Sequence, residues 1–222
     1  MPPTGRLLGS GRDADVYEID EAWVLRRDRQ GWGDSAAVGA VMDHVRGYGY
    51  PVPRVRLPDS SRTDLVMERL SGPTMLEACL AGSLGPEEAG ATLAGLLREL
   101  HTVPARRSEG ARILHLDLHP DNVILTADGP RVIDWTNTEE GDPALDWAIS
   151  SMILAQVAVD DTPIAAPATA MLTALLADPS HLTEDALAEA RRRRAANPTM
   201  TRREVELLGV AEEFIRRQVP FG

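Results

Sequence analysis

The sequence predicts an α+β chain, with a small antiparallel sheet in its first 70 residues and a mainly helical region beyond. Three observations carry that reading. Residues 7–19 form two strand-like runs around Gly9-Ser10-Gly11, and further runs of the same kind follow at 22–27 and 64–70. From Gly85 onward, apolar residues recur at three- and four-residue spacing, the period of a helix with one buried face. Between these regions, Val123-Ile124-Leu125 and Arg131-Val132-Ile133 flank Asp128-Gly129-Pro130, a triplet suited to closing a hairpin.

The 222 residues suffice for one large domain or two small lobes. Hydrophobic residues make up 43% but aromatic ones only 4%, so the core is expected to be aliphatic. Cys79 is the sole cysteine, which excludes an intrachain disulfide and points to a reducing compartment. No run resembles a signal peptide or is long enough to span a membrane, so a cytoplasmic location and no membrane partner are expected. A net charge of −11 argues against nucleic-acid binding and suits a cationic partner. All 23 basic residues are arginine; the chain has no lysine.

In order along the chain, the Gly9-Ser10-Gly11 turn can bring backbone N–H groups close to phosphate oxygens, although a plain hairpin turn reads the same way. A dinucleotide-binding fold needs a helix next, whereas Val16 to Ile19 continues as strand. Residues 22–27 form the following strand, with Arg26 and Arg27 near its end and Arg27 reading as a solvated face residue. Residues 35–46 form a helix with an apolar stripe of Ala37, Val38, Val41 and Val45. Tyr50-Pro51-Val52-Pro53 is extended, and residues 54–57 and 64–70 pair as strands around a turn at 58–62. Ser71-Gly72-Pro73 ends the strand pattern.

Gly85-Pro86-Glu87-Glu88 then starts a helix, with proline in its first turn and acids at the positive end of the dipole. Its buried face is Ala89, Leu93, Leu96, Leu97 and Leu100, and it ends near Thr102. Asp142 caps a helix opened by Pro143, and helices follow at 167–176 and 184–195. Arg191 to Arg194 lie near a helix C-terminus, where cations offset the dipole. Thr201 and Glu204 form a capping box for a last helix to about Arg217, burying Val205, Leu208, Ala211 and Ile215. Glu139, Glu140 and Asp142 cluster in sequence, as a solvated loop or as a site for a cationic acceptor.

The chemistry concentrates between His115 and Trp135. Asp117 sits in an H-x-D-x-H-x-x-N frame that ends at Asn122, and the second strand of the hairpin delivers Asp134. Two carboxylates and a carboxamide are oxygen donors of the kind that Mg²⁺ takes, together with substrate phosphates. The alternation of His115, Asp117 and His119 also admits a zinc site on one strand face.

These residues resemble the protein-kinase pattern H-R-D-x-x-x-x-N followed by D-F-G. With His119 two places after Asp117, and Ile133-Asp134-Trp135 in place of D-F-G, the closer resemblance is to the aminoglycoside phosphotransferase family. The resemblance implies a two-lobed protein-kinase-like fold: a small antiparallel-sheet lobe over 1–70, a hinge near 68–71 and a mainly helical lobe over 71–222. It implies transfer of the γ-phosphoryl group of ATP to a hydroxyl of a small molecule, with ATP and Mg²⁺ as cofactors.

By the same resemblance, Asp117 orients and deprotonates the acceptor hydroxyl, and His119 stands near the γ-phosphate. Asn122 and Asp134 hold Mg²⁺. Gly9, Ser10, Gly11 and Arg26 hold the phosphates, with Arg26 replacing the usual strand lysine. The hinge backbone at Glu68 and Leu70 meets the adenine edge, while Val16, Val24, Met67, Ile124 and Ile133 enclose the ring. Gly141-Asp142-Pro143 and Asp146 match a further motif, whose second aspartate braces the catalytic loop. Three departures stand out. Ala14 replaces the third glycine of the first turn, Leu116 stands where the family usually has glycine, and the 35–46 helix has no glutamate. Asp34, or else Asp43, is then the expected partner of Arg26. A nucleotide-binding module without catalysis is the alternative reading.

Overall fold

The computed structural model describes residues 5–11, 14–29, 31, 33–178 and 181–219. The chain forms two compact units, one running through Pro73 and taking in Val123–Thr138, the other made of Thr74–Asn122 and the chain from Glu139. The sequence had placed everything beyond residue 71 in one lobe. The 123–138 hairpin instead belongs to the first unit, because its backbone is tied there. Leu125 N–H donates to Pro73 C=O at 2.9 Å, and Val132 N–H donates to Pro51 C=O at 2.8 Å.

The first unit is built on an antiparallel sheet in the order β1 (Leu7–Ser10), β2 (Ala14–Glu18), β3 (Trp23–Asp28), β4 (Asp64–Glu68). Val16 lies opposite Arg26, and Val24 opposite Met67. Directly opposed residues, and residues two apart on one strand, share a face, so Val16, Val24, Arg26 and Met67 come to one side of the sheet. The strand expected at 54–57 is only a single bridge, Val55 to Met67, followed by a short 3₁₀ turn at Leu57–Asp59. Pro58 sits in that turn, where it cannot donate to a ladder.

Helix α1 (Ser35–Gly47) has Asp34 as its N-cap, accepting from Ala37 N–H at 3.0 Å. Its buried face is Ser35, Gly39, Met42 and Val45, rotated from the expected stripe. Gly39 explains the rotation. A Cβ there would lie 2.8 Å from the Leu65 side chain and 2.9 Å from Leu57, so the helix turns its smallest residue to the sheet. Strands β6 (Val123–Thr126) and β7 (Gly129–Val132) form the expected hairpin. After it, Trp135 is fully buried, packing edge-on against Tyr50 and donating through Nε1 to Val132 C=O.

The second unit contains α2 (Met75–Leu80), α3 (Pro86–Leu100), α4 (Pro143–Ala158), α5 (Ala165–Leu175), α6 (Glu184–Ala196) and α7 (Arg202–Gln218). A two-stranded pair, β5 (Arg112–Leu114) with β8 (Glu139–Gly141), completes it. Neither α2 nor β8 was read from the sequence. Helix α2 carries its own capping box, Thr74 with Glu77. Helix α4 is the centre of the core. It buries residues on every side and packs against α5, α6 and α7, as a helix apolar all round must. All five residues expected on the inner face of α3 are buried.

On α7 the capping box is present, but Val205 is exposed and Leu207 takes its place inside. The inward arc is turned so that Glu212, nearly buried, meets Arg191 at 2.7 Å and Arg216 at 2.8 Å. The arginine run on α6 is consumed by pairing: Arg192 and Arg193 with Glu189, and Arg194 with Gln156. Among the described residues no helix is long and apolar enough to cross a membrane.

Gly90 on α3 faces α5 so closely that a Cβ would stand 2.2 Å from Met171 C=O. Gly90→Ala is therefore expected to lower unfolding free energy by about 1–3 kcal/mol through overpacking. Chemical denaturation is the measurement, with the midpoint moving to lower denaturant at an unchanged slope.

Candidate active site

The segment from His115 to Asn122 leaves β5 as a loop rather than a strand, and the buried Asp146 carboxylate holds it. His115 N–H and Leu116 N–H each donate to Asp146, at 2.8 Å, and His101 Nε2 lies 3.1 Å from the same carboxylate. Asp146 comes from the first turn of α4, and its side chain is wholly buried. Leu116 takes φ 60, in the left-handed region that favours glycine. The departure noted from the sequence thus has a physical meaning: a leucine is held where glycine costs least. Its side chain is nearly buried, which returns part of that cost as apolar contact.

This turn sets Asp117 beside Asn122 and His119. Asn122 Nδ2 donates to Asp117 C=O at 2.9 Å, lies 3.4 Å from Asp117 Oδ2, and approaches His119 Nε2 at 3.1 Å. His119 Nε2 is 4.0 Å from Asp117 Oδ2. Burial pushes the His119 imidazole below its usual range, while the Asp117 carboxylate pulls the other way. The ring's neighbours agree with the neutral form. A neutral ring carries a lone pair on one nitrogen only, so it accepts from one of its two neighbouring donors, Asp121 N–H at Nδ1 or Asn122 Nδ2 at Nε2.

A zinc site on a strand face is overturned: His115 is buried with Nδ1 accepting from Asp117 N–H, and no group of three metal-binding His, Cys, Asp or Glu exists among the described residues.

In the first unit, Asp134 follows β7 with φ 58 and ψ 67. Arg26 reaches across to it. One guanidinium nitrogen lies 3.2 Å from Asp134 Oδ1 and 2.8 Å from Thr136 Oγ1, and the Thr136 hydroxyl donates to Asp134 at 2.6 Å. The expected partners of Arg26 on α1 are not used. Asp34 is committed to the helix cap, and Asp43 is exposed. Arg27, read as solvated, instead grips the buried Asp64 with two hydrogen bonds of 2.8 Å.

The glycine-rich turn bends as a hairpin, with Gly11 N–H donating to Ala14 C=O at 2.9 Å. Beside Gly9 the space that a side chain would take is open. Ser10 does not meet Arg26; its hydroxyl donates to Asp15 at 2.6 Å and also contacts Arg29. Arg29 holds the Asp15 carboxyl below its usual range, with Ser10 adding to the effect. A second cation at this turn was missed in the sequence, where Arg29 follows β3 with no local pattern to mark it. At the end of β4, Glu68 N–H is taken by Arg54 C=O at 2.8 Å. Leu70, half-buried, has no backbone hydrogen bond among the described residues. Ile124 and Ile133 are half-buried on the hairpin.

The donor chemistry fits Mg²⁺. Asn122 commits its Nδ2 side to Asp117 and His119, which leaves the carbonyl oxygen as its remaining donor, and Asp134 offers a carboxylate whose side chain is 43% exposed. Each is, within its own unit, an oxygen donor of the kind that Mg²⁺ takes.

Each carboxylate of the acidic cluster after Trp135 has a partner within its own unit. Glu140 accepts from the backbone N–H groups of Arg106, Arg107 and Ser108. Glu139 pairs with Arg193, and Asp142 caps α4.

A model of the phosphotransferase enzyme family matches residues 4–112 and 105–179. The chain belongs to that family. The solved gentamicin complex of APH(2'')-IIa is similar to this member over 95% of the chain and 93% of that one, at 16% identity and a TM-score of 0.58. A ternary complex of an APH(4)-Ia variant with AMP-PNP and hygromycin B matches over 96% and 93%, at 13% identity and a TM-score of 0.54. These likenesses show the fold, an antiparallel sheet with a helical region. Thiamine kinase from Salmonella paratyphi B is 51% identical over 35 residues, 16% of this chain and only 13% of that enzyme.

Asp146→Ala removes the acceptor for two loop N–H groups at a fully buried position. It is expected to cost about 3–5 kcal/mol, the range for breaking a buried charged pair. Asp146→Asn, which keeps one acceptor oxygen, is expected to cost less. Urea unfolding of both variants checks the order; equal stability of wild type and Asp146→Ala would show that the loop is held otherwise.

Proposed function

We propose that this family member moves the γ-phosphoryl group of ATP to a hydroxyl of a small molecule. The observation that carries the reading is the lock on the catalytic loop. With His115 and Leu116 fixed by Asp146, the Asp117, His119 and Asn122 side chains form one hydrogen-bonded cluster. The relatives support it: a related structure holds AMP-PNP with an aminoglycoside, and a short segment matches a kinase of thiamine.

In this mechanism the Asp117 carboxylate takes the proton of the acceptor hydroxyl as the hydroxyl oxygen bonds to the γ-phosphorus. The bridging P–O bond breaks and ADP leaves. Asn122 and Asp134 would hold Mg²⁺, which offsets charge on the phosphates. His119, beside Asn122 Nδ2 and 4.0 Å from Asp117 Oδ2, positions both side chains. The cations are arginines: Arg26, and Arg29 beside Ser10 at the glycine-rich turn. Val16, Val24 and Met67 supply an apolar sheet face for the adenine ring, joined by Ile124 and Ile133. The free backbone of Leu70 meets the ring's edge, and Glu68 has only its carbonyl to offer there, its N–H being taken.

One observation favours a second reading, a module that binds nucleotide and transfers nothing. Arg26 pairs with Asp134 itself rather than with a helix carboxylate. Asp117→Asn and Asp134→Ala separate the two. Each is expected to lower acceptor-dependent ADP formation by on the order of 10²–10³, the scale for losing one electrostatic element of such a site. Asp134→Ala is expected to leave the melting temperature within a few degrees, since an exposed pair contributes at most about 1 kcal/mol. Mg·ATP binding with no turnover that depends on Asp117 would favour the second reading.

A further inference from the structure

The helical unit contains a partly open cleft of about 110 Å³, and the catalytic loop forms one of its walls through His119, Pro120 and Asp121. The other walls are apolar. Leu76 and Leu80 come from α2, Ile153 and Val157 from α4, and Ile164 and Pro167 from the start of α5. Five of these six side chains are half-buried, and Leu80 is 62% exposed. A set of aliphatic side chains left open to water beside a reactive loop is a binding surface rather than core.

The cleft lies close to Asp117, because His119 in its wall has Nε2 4.0 Å from Asp117 Oδ2. Its charge is sparse. Asp121 is the single carboxylate in the lining, and Glu139, Glu140 and Asp142 are committed to Arg193, to the 106–108 backbone and to the α4 cap. A polycationic sugar would find nothing here to neutralise its several charges, and it would bury polar groups against aliphatic walls.

We propose that this cleft seats the body of the phosphoryl acceptor, and that the acceptor is an alcohol with an apolar or single-ring body and at most one positive charge, at Asp121. The proposal rests on the phosphotransfer reading. The size is consistent: a closed apolar cavity of about 150 Å³ takes up benzene, and this smaller cleft of about 110 Å³ is partly open, so a ring or branched alkyl group can seat with one edge in solvent. The acceptor O–H bond breaks, an O–P bond forms, the proton passes to Asp117, and ADP carries away the electrons of the broken bridging bond. No other reactant is needed.

The test uses the full chain and three alcohols: 2-phenylethanol, 2-cyclohexylethanol and an N-methylpyridinium ethanol. Gentamicin is the polycationic comparison. Ligand-observed NMR without nucleotide measures binding of 2-phenylethanol to wild type, Val157→Asp and Ile153→Ala. ADP release under Mg·ATP measures transfer to each acceptor, and the thermal shift with Mg·ATP confirms that both variants remain folded and bind nucleotide. Binding is expected to weaken by about tenfold in each variant, the scale of losing apolar groups from a substrate pocket. At least one ring-bearing alcohol is expected to be phosphorylated faster than gentamicin. Binding equal in wild type and both variants, or gentamicin outpacing all three alcohols, overturns the proposal while leaving phosphotransfer standing. Cleft binding that responds to the variants, with no ADP release for any acceptor, overturns the phosphotransfer reading and the acceptor assignment with it.

Discussion

The buried carboxylate of Asp146 is the contact on which the 115–122 loop depends. A charge at zero exposure costs several kcal/mol unless donors surround it, and a loop that is neither helix nor strand has N–H groups in need of acceptors. Each requirement meets the other here, with His115 and Leu116 donating from the loop and His101 closing the remaining side. The contact also holds Leu116 in a conformation it would otherwise leave. Everything downstream, from the Asp117 carbonyl to the Asn122 amide, takes its position from that turn.

A chain without lysine must assign its arginines with care, and strand alternation does so. Arg26 and Arg27 are neighbours, yet they project to opposite faces of β3. Arg27 uses its planar fork on buried Asp64, a structural role. Arg26 bridges Asp134 and Thr136 with one nitrogen, which a guanidinium does readily and which ties strand to hairpin inside the first unit.

Charge counted along the sequence misled where backbone demand was invisible. Glu139, Glu140 and Asp142 look like a cation site in one dimension, but three backbone N–H groups at 106–108, an α6 arginine and a helix terminus each claim one of them. The arginine run on α6 dissolves into pairs in the same way. Beside the 115–122 loop, the cleft walls are mostly apolar.

The sequence by itself determined the class of the fold, the order of β1 to β4 and of the long helices, and the spacing of Asp117, Asn122 and Asp134. These follow from local periodicity, capping and turn chemistry, all short-range in the chain; the inner face of α3 and the capping box of α7 were legible for that reason. Tertiary structure alone decided the partner of Arg26, the rotation of α1 about Gly39, the fate of the acidic cluster, the second arginine at the glycine-rich turn and the apolar cleft. Most of these join residues far apart in the chain or depend on how close two elements can pack, and no local pattern encodes such distances.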